Sequence, residues 1–330
     1  MILLVGAGAV GTILAAHVAA GGKEPLKLYV RDKDLARMEA VSELRVDPVA
    51  PGKPSVRAPK PVLTQSLDLA GVDYLFICVK FPDLEKLLAQ LPPIPPGCTL
   101  VSTLNGISAL RTIRERLPQA RLAPMTIMFN GQLLGPLHAR LTTRAQVFTG
   151  TDDARLLACF GSSGMQSLPA AGESAAWGKL LINLANAICA ITHTTFKDLL
   201  TDRDVRAVYA AVLDESVGLL QRAGIAYQLP MPIPYRLYRT ILLRGGLLPW
   251  WFAKVRNGLQ EGAYPSMVAD VEHGRRTEVA QLNGEVVQLA ANNGGAAPLN
   301  SAIVQLVGSM EGKVPPPYLT PKQLRQRLGI

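Results

Sequence analysis

Cysteine, aromatic residues, clustered charge and long apolar runs are all scarce in this chain, and each scarcity excludes a class of protein. The four cysteines, at positions 78, 98, 159 and 189, form no Cys-x-x-Cys pair. Neither a metal site nor a redox dithiol is therefore expected, and the usage fits a reducing cytoplasm. Aromatics make up 5% of 330 residues, too few for a surface that stacks bases. The net charge is +9, but the basic residues are dispersed (Arg111, Arg114, Arg116, Arg121; then Lys322, Arg325, Arg327). With no basic run and no recognition motif, a nucleic-acid partner is not expected. A phosphorylated small molecule still suits the positive balance. The first apolar run is broken by Gly6, Gly8 and Gly11, and no stretch of about 20 apolar residues reads as a bilayer span. A cytoplasmic protein without a membrane partner is the expectation.

What is abundant is core material. Apolar residues are 48% of the chain and charged residues only 18%, which excludes a disordered protein. A usual domain size of about 100–200 residues favours two domains. The boundary is expected near residue 170, with an α/β domain over 1–170 and an all-α domain over 171–330.

The α/β assignment rests on the first forty residues. Met1 to Val5 is a short apolar run of the buried-strand kind. It leads into Gly6-Ala7-Gly8-Ala9-Val10-Gly11, then a helical stretch ending at Gly21-Gly22, then a second strand at Leu26 to Val30. This G-x-G-x-x-G has the context that makes it a dinucleotide-binding fingerprint. Gly6 permits the tight turn, Gly8 lets the backbone approach a pyrophosphate, and Gly11 lets helix and strand pack closely. The helix N-terminus then offers N–H groups and partial positive charge to the phosphates. At the end of the second strand, Arg31 favours the 2′-phosphate of NADP, while the adjacent Asp32 keeps NAD open. A later strand, Val72 to Val79, ends at Lys80, and another, Cys98 to Leu104, ends at Asn105-Gly106. Both endings fall at the carboxyl edge where such sheets bind ligands.

From Glu173 the periodicity becomes helical. At about 100° per residue, Lys179, Asn183 and Asn186 share one side of a helix over 174–195, with His193 near the same line. Two amides and one lysine among Leu, Ile and Ala suit an inward-facing site better than a solvated face. A second helix is expected from Asp204 to Ala223, capped by Thr201 or Asp202 and stopped at Gly224. A further helical pattern over Val279 to Ala291 stops at Asn292-Asn293-Gly294-Gly295.

On these residues the chain resembles the ketopantoate reductase (2-dehydropantoate 2-reductase) family over nearly its whole length. The resemblance is carried by Gly6 to Gly11, Cys78-Val79-Lys80, Asn105-Gly106, Trp177-Gly178-Lys179-Leu180 with Asn183, and Ser266-Met267…Asp270…Gly274-Arg275…Thr277-Glu278. It implies a Rossmann domain followed by an all-helical domain, with the site in the cleft between them. It implies reduction of ketopantoate to pantoate by NADP(H), on the route to pantothenate and coenzyme A. Residue by residue it implies that Lys179 is the general acid and that Glu278 assists substrate binding and the placement of Lys179. Ser266 would hold the substrate carboxylate, and Asn183 the substrate oxygens. Asn105 would sit by the nicotinamide, and Arg31 and Lys80 by the 2′-phosphate. The partner is then a small 2-oxo acid, and the state monomeric or homodimeric.

The chain departs from the family in two respects: Pro265-Ser266 stands where a small polar pair is often found, and the second amide of the helix is displaced. Ala187 stands where a second amide is usual, and Asn186 one residue earlier takes its place. A different 2-oxo acid is therefore an alternative, as is a non-catalytic NADP-binding sensor. A geometric condition also follows. Were 266–278 one straight helix, Ser266 and Glu278 would lie about 18 Å apart, so either the segment bends, with Gly274 as the candidate hinge, or one of the two residues serves the cofactor side.

Overall fold

The computed structural model describes residues 1–50, 52–231, 233–257 and 261–330. The chain divides into two units, Met1–Ala176 and Trp177–Ile330.

The first unit opens with β1 (Ile2–Val5), α1 (Ala9–Gly21), β2 (Leu26–Tyr29), α2 (Asp32–Glu39), β3 (Glu43–Asp47), β4 (Val56–Pro59), β5 (Val62–Thr64) and β6 (Tyr74–Ile77). It continues with α3 (Phe81–Gln90), β7 (Thr99–Ser102), α4 (Ser108–Arg116), β8 (Arg121–Ile127), β9 (Gly131–Gly135), β10 (His138–Leu141), β11 (Gln146–Thr149), α5 (Ala154–Leu157) and β12 (Gln166–Pro169). Eight strands form one sheet in the order β12-β11-β8-β7-β6-β1-β2-β5. From β8 to β5 every neighbouring pair is parallel, which is the strand order of a Rossmann dinucleotide fold. β11 then runs antiparallel to β8.

The central strands are apolar at every position because both faces of the sheet are covered. Ile2 and Leu4 of β1, with Tyr74 and Phe76 of β6, face one core, which also holds Ile13 and Leu14 of α1. Leu3, Val5, Leu75 and Ile77 face the other, with Leu84 and Leu88 of α3 and Ile113 of α4. A second, four-stranded sheet, in the order β4-β3-β10-β9, packs on α1. Helix α1 thus lies between two sheets. That is why every residue from Gly11 to Val18 is buried and why the helix has no polar face.

The second unit is helical. It comprises α6 (Ser174–Asn183, which begins just before the division), α7 (Ala185–Thr192), α8 (Phe196–Thr201), α9 (Arg203–Arg222), α10 (Tyr235–Arg244), α11 (Leu248–Asn257), α12 (Ser266–Glu272), a 3₁₀ turn at Val279–Gln281, α13 (Asn283–Asn292), α14 (Pro298–Met310) and α15 (Pro321–Arg327). Helix α9 is capped as its sequence requires: the Asp202 carboxylate accepts from the N–H groups of Asp204 and Val205, and Gly224 follows at φ +66°. A buried polar knot joins three helices. Glu215 of α9 accepts from the backbone N–H of Leu299 and Asn300 at the start of α14. The Asn300 amide accepts in turn from Asn283 of α13 at 3.0 Å.

Two readings of the sequence are corrected here. The stretch Ser174–Thr192 is long and apolar enough to pass as a membrane span, with a hydropathy of 1.3, contrary to the expectation that no such run exists. Its window is 78% buried and it is divided at Leu184 into α6 and α7, so it is packed as core. His193 does not continue the polar side of that helix. It caps α7 in the left-handed conformation, at φ 50° and ψ 45°, with its ring stacked against Tyr264 and tilted against Tyr318.

Candidate active site

The glycine turn of the first unit is shaped by three different constraints. Gly6 sits at φ +109°, and a Cβ there would fall 2.6 Å from the Cys78 carbonyl oxygen. A Cβ on Gly11 would lie 1.8 Å from the Gly6 carbonyl oxygen, so this residue fixes how closely α1 approaches β1. A Cβ on Gly8 would meet nothing within 4 Å, so the space before the helix is open. Gly8 is the N-cap of α1, with no side-chain cap and no acidic residue in the first turn. The first N–H groups of a helix lack intrahelical partners. Here they are left to a ligand, and a pyrophosphate is the group they suit. The flanking Ala7, Ala9 and Val10 are half-buried and carry no polar group that competes for it.

The remaining nucleotide-side candidates follow the carboxyl ends of neighbouring parallel strands. Gly6 to Gly11 follow β1, Arg31 follows β2, Lys80 follows β6, and Asn105 follows β7. Because the sheet order is β7-β6-β1-β2, all four lie along one sheet edge. Arg31 is the N-cap of α2; its guanidinium is 60% exposed and pairs with Asp34 at 2.8 Å. Asp32 accepts from the Gln65 amide at 2.5 Å. Lys80 is exposed and is the N-cap of α3. Asn105 is exposed on a turn completed by Gly106 at φ +81°. Beside this edge, burial pushes the Cys78 thiol up to about 12, so it is no nucleophile at neutral pH.

In the second unit, Lys179 and Asn183 lie on α6 and Asn186 on α7, and all three are half-buried. Their neighbours Leu180, Leu181, Leu184, Ala187 and Ile188 are almost fully buried. The Tyr209 hydroxyl of α9 donates to the Ile182 carbonyl at 3.3 Å, next to the break between the two helices. Burial pulls the Lys179 ammonium down to about 8, and the nearby Glu278 carboxylate opposes that shift. Glu278 can act there because the chain turns. Helix α12 ends at Glu272, and Gly274 follows at φ +64°, so the bend falls at the expected glycine. The turn carrying Glu278 is fastened by Glu311, whose carboxylate accepts from the Thr277 N–H at 2.9 Å and its hydroxyl at 2.8 Å. Sequence reasoning missed Glu311: it lies 34 positions from Thr277, and no local pattern marks it. Ser266 is the first residue of α12 and is exposed. Among the described residues, no group of three or more His, Cys, Asp or Glu is placed to hold a metal ion.

A parallel sheet with an open glycine turn at its edge, joined in one chain to a helical unit bearing a half-buried lysine and two amides, defines a dinucleotide-binding oxidoreductase architecture. Comparison with known proteins gives the family. Residues 2–153 match the profile of ketopantoate reductase PanE/ApbA, and residues 173–311 match that of its C-terminal part. The chain belongs to the ketopantoate reductase PanE/ApbA family. It is 27% identical over 325 residues to the 2-dehydropantoate 2-reductase of Vibrio cholerae, covering 94% of this chain and 97% of that one. The crystal structure of a PanE/ApbA family ketopantoate reductase from Ralstonia eutropha JMP134 superposes with a TM-score of 0.73 at 25% identity, covering 94% and 98% of the two chains. A D-mandelate dehydrogenase in ternary complex with NADH and anilino(oxo)acetate has a TM-score of 0.71 at 19% identity over the whole of both chains, a likeness of fold.

Proposed function

We propose that this protein reduces ketopantoate to pantoate with NADPH, in the cytoplasm, as a step toward pantothenate and coenzyme A. One observation carries the reading: a lysine on an otherwise apolar helix, half-buried, with its ammonium brought by burial down to about 8. Such a group is charged near neutral pH and yields its proton readily, which is what a general acid requires. A solvated lysine is charged as well but holds its proton far more tightly.

The domain of residues 1–170 binds the cofactor, and that of 171–330 supplies the proton and the substrate contacts. The backbone of Gly6, Ala7, Gly8, Ala9, Val10 and Gly11 holds the pyrophosphate, Arg31 and Lys80 hold the 2′-phosphate, and Asn105 orients the nicotinamide end. When bound, that cofactor supplies a hydride to the ketone carbon. Negative charge then grows on the ketone oxygen, where the Lys179 ammonium stabilises it and delivers a proton. Glu278 opposes the effect of burial and keeps Lys179 charged. Asn183 and Asn186 bond neutral oxygens of the substrate without adding charge, and Ser266 holds its carboxylate.

A second reading, a reductase of another 2-oxo acid, is favoured by one observation. The second amide stands at Asn186, and Ala187 is fully buried. Turnover of ketopantoate with NADPH and NADH side by side, alongside a panel of 2-oxo acids, decides between the readings. Rapid oxidation of NADPH by ketopantoate supports the first. Turnover only of another acid establishes the second. No turnover of any 2-oxo acid despite tight NADPH binding refutes both and leaves a sensor. In the same assay Arg31→Ala reduces the preference for NADPH over NADH at least about tenfold, since a bidentate phosphate contact is lost.

A further inference from the structure

The outer face of α11 is apolar where a surface helix is normally polar. Leu248, Trp251, Phe252 and Val255 recur at i, i+3, i+4 and i+7, which places them within an arc of about 100°. These four and the preceding Leu247 are between 43% and 70% exposed. Trp250, on the opposite side of the helix, is only 7% exposed and anchors it. Leu237 on the neighbouring α10 is exposed as well, at 48%. The stripe is therefore a built feature, held outward by a buried aromatic on its inner side.

The segment that carries it is cationic. Residues 223–260 contain no Asp or Glu and five cationic residues, at 236, 239, 244, 254 and 256. Arg236, Arg244 and Lys254 are exposed. The acids flanking the segment are already engaged: Asp214 with Arg239, and Glu261 with Lys197 and Lys254.

These features select the occupant. A second copy of the chain would bring two like-charged patches together. The six half-exposed side chains offer about 500 Å² of apolar area, so charge and not area decides the occupant. Trp, Phe and Leu on one face of a helix, beside Arg and Lys that outnumber the acids paired with them, match the surface of an anionic bilayer instead. We infer that α11, with the cationic face of α10, is a peripheral docking surface for an anionic lipid membrane, entered by Trp251 and Phe252 to the depth of the headgroups. None of the residues of the proposed reductase site takes part, so this inference stands or falls apart from that reading.

The test uses the full chain and vesicles of phosphatidylglycerol mixed with phosphatidylcholine, against phosphatidylcholine alone. The expected result is co-sedimentation with the anionic vesicles at least about tenfold above the neutral ones, falling as salt rises. Of the three tryptophans, Trp177 and Trp250 are buried and Trp251 is 55% exposed, so Trp251 reports directly. Its emission shifts to the blue and escapes iodide quenching when anionic vesicles are added. Val255→Ser combined with Leu248→Ser, both at exposed positions, reduces the partition at least about tenfold while the far-UV spectrum is kept. Absence of binding to anionic vesicles at low salt overturns the inference, as does equal binding to neutral vesicles or indifference to the double substitution. A dimer that the same substitutions dissociate also overturns it, by assigning the stripe to self-association.

Discussion

If Lys179 delivers the proton, the pH dependence of turnover carries its signature, and the two directions of the reaction carry it with opposite sign. Reduction needs the ammonium, and oxidation of the product needs the free amine. With the ammonium lowered from 10.5 to about 8, roughly nine-tenths of the enzyme is competent for reduction at pH 7, about one-tenth at pH 9 and about one-hundredth at pH 10. The kcat/KM for the oxo acid therefore falls about tenfold per pH unit above about 8. That for the hydroxy acid rises along the mirror-image curve and levels off near the same pH. An ordinary lysine would hold the reductive rate level to beyond pH 10. Two substitutions sharpen the measurement. Lys179→Ala lowers kcat/KM by roughly 10²–10⁴-fold and abolishes the limb. Glu278→Gln removes the carboxylate that favours the charged form, so the limb moves to lower pH. The assay is steady-state nicotinamide absorbance with saturating cofactor in both directions. A limb that survives in Lys179→Ala refutes the assignment. So does a limb that moves to higher pH in Glu278→Gln.

Three further predictions concern the first unit. Gly8→Ala places its Cβ in open space, so the melting temperature stays near that of the parent while NADPH affinity, read by fluorescence titration, falls at least about tenfold. Gly11→Ala meets the Gly6 carbonyl at 1.8 Å and lowers stability by about 1–3 kcal/mol or more in urea unfolding, because backbone and not a yielding side chain must shift. His17 is 2% exposed, and burial lowers its pKa to about 4, partly opposed by the Ser163 carbonyl. The unfolded chain then binds more protons between about pH 6.5 and 4, so stability is full above that window and about 3 kcal/mol is lost as pH falls through it. Urea unfolding across that range shows a slope that His17→Leu flattens; an unchanged slope in the variant refutes the argument.

Local signals were enough for the nucleotide edge and too few for the rest. The glycine turn, the strand before it and the helix after it are neighbours in sequence, so spacing alone declared them. The four-stranded sheet over α1 was not declared, although Leu44 and Val46 of β3 alternate inward as a half-buried strand should. The sheet depends on a parallel pairing of β3 with β10, where Arg45 faces His138. No short-range pattern announces a partner so far along the chain. The break at Leu184 was equally silent, because neither Gly nor Pro marks it. The bend at Gly274 was half-legible for a different reason: if the roles implied by the resemblance hold, a straight helix would set Ser266 and Glu278 too far apart for one small substrate.

The amide register of α6 and α7 is where packing adds most to periodicity. A line of Lys and Asn on an apolar helix is compatible with a solvated face or with a site. A solvated face leaves its lysine near 10.4 and exposes its amides, whereas here the lysine is lowered to about 8 and both amides are half-buried. Along an unbroken helix position 186 would return to within about 20° of the Lys179 direction and 187 would lie about 80° away; with the helix divided at Leu184, burial is the better guide. Ala187 is fully buried in the packing around α7, where an amide would need a partner that core side chains cannot supply. On the proposed reading, then, Asn186 completes the pair with Asn183, and discrimination among 2-oxo acids is decided by what the residue at 186 can reach.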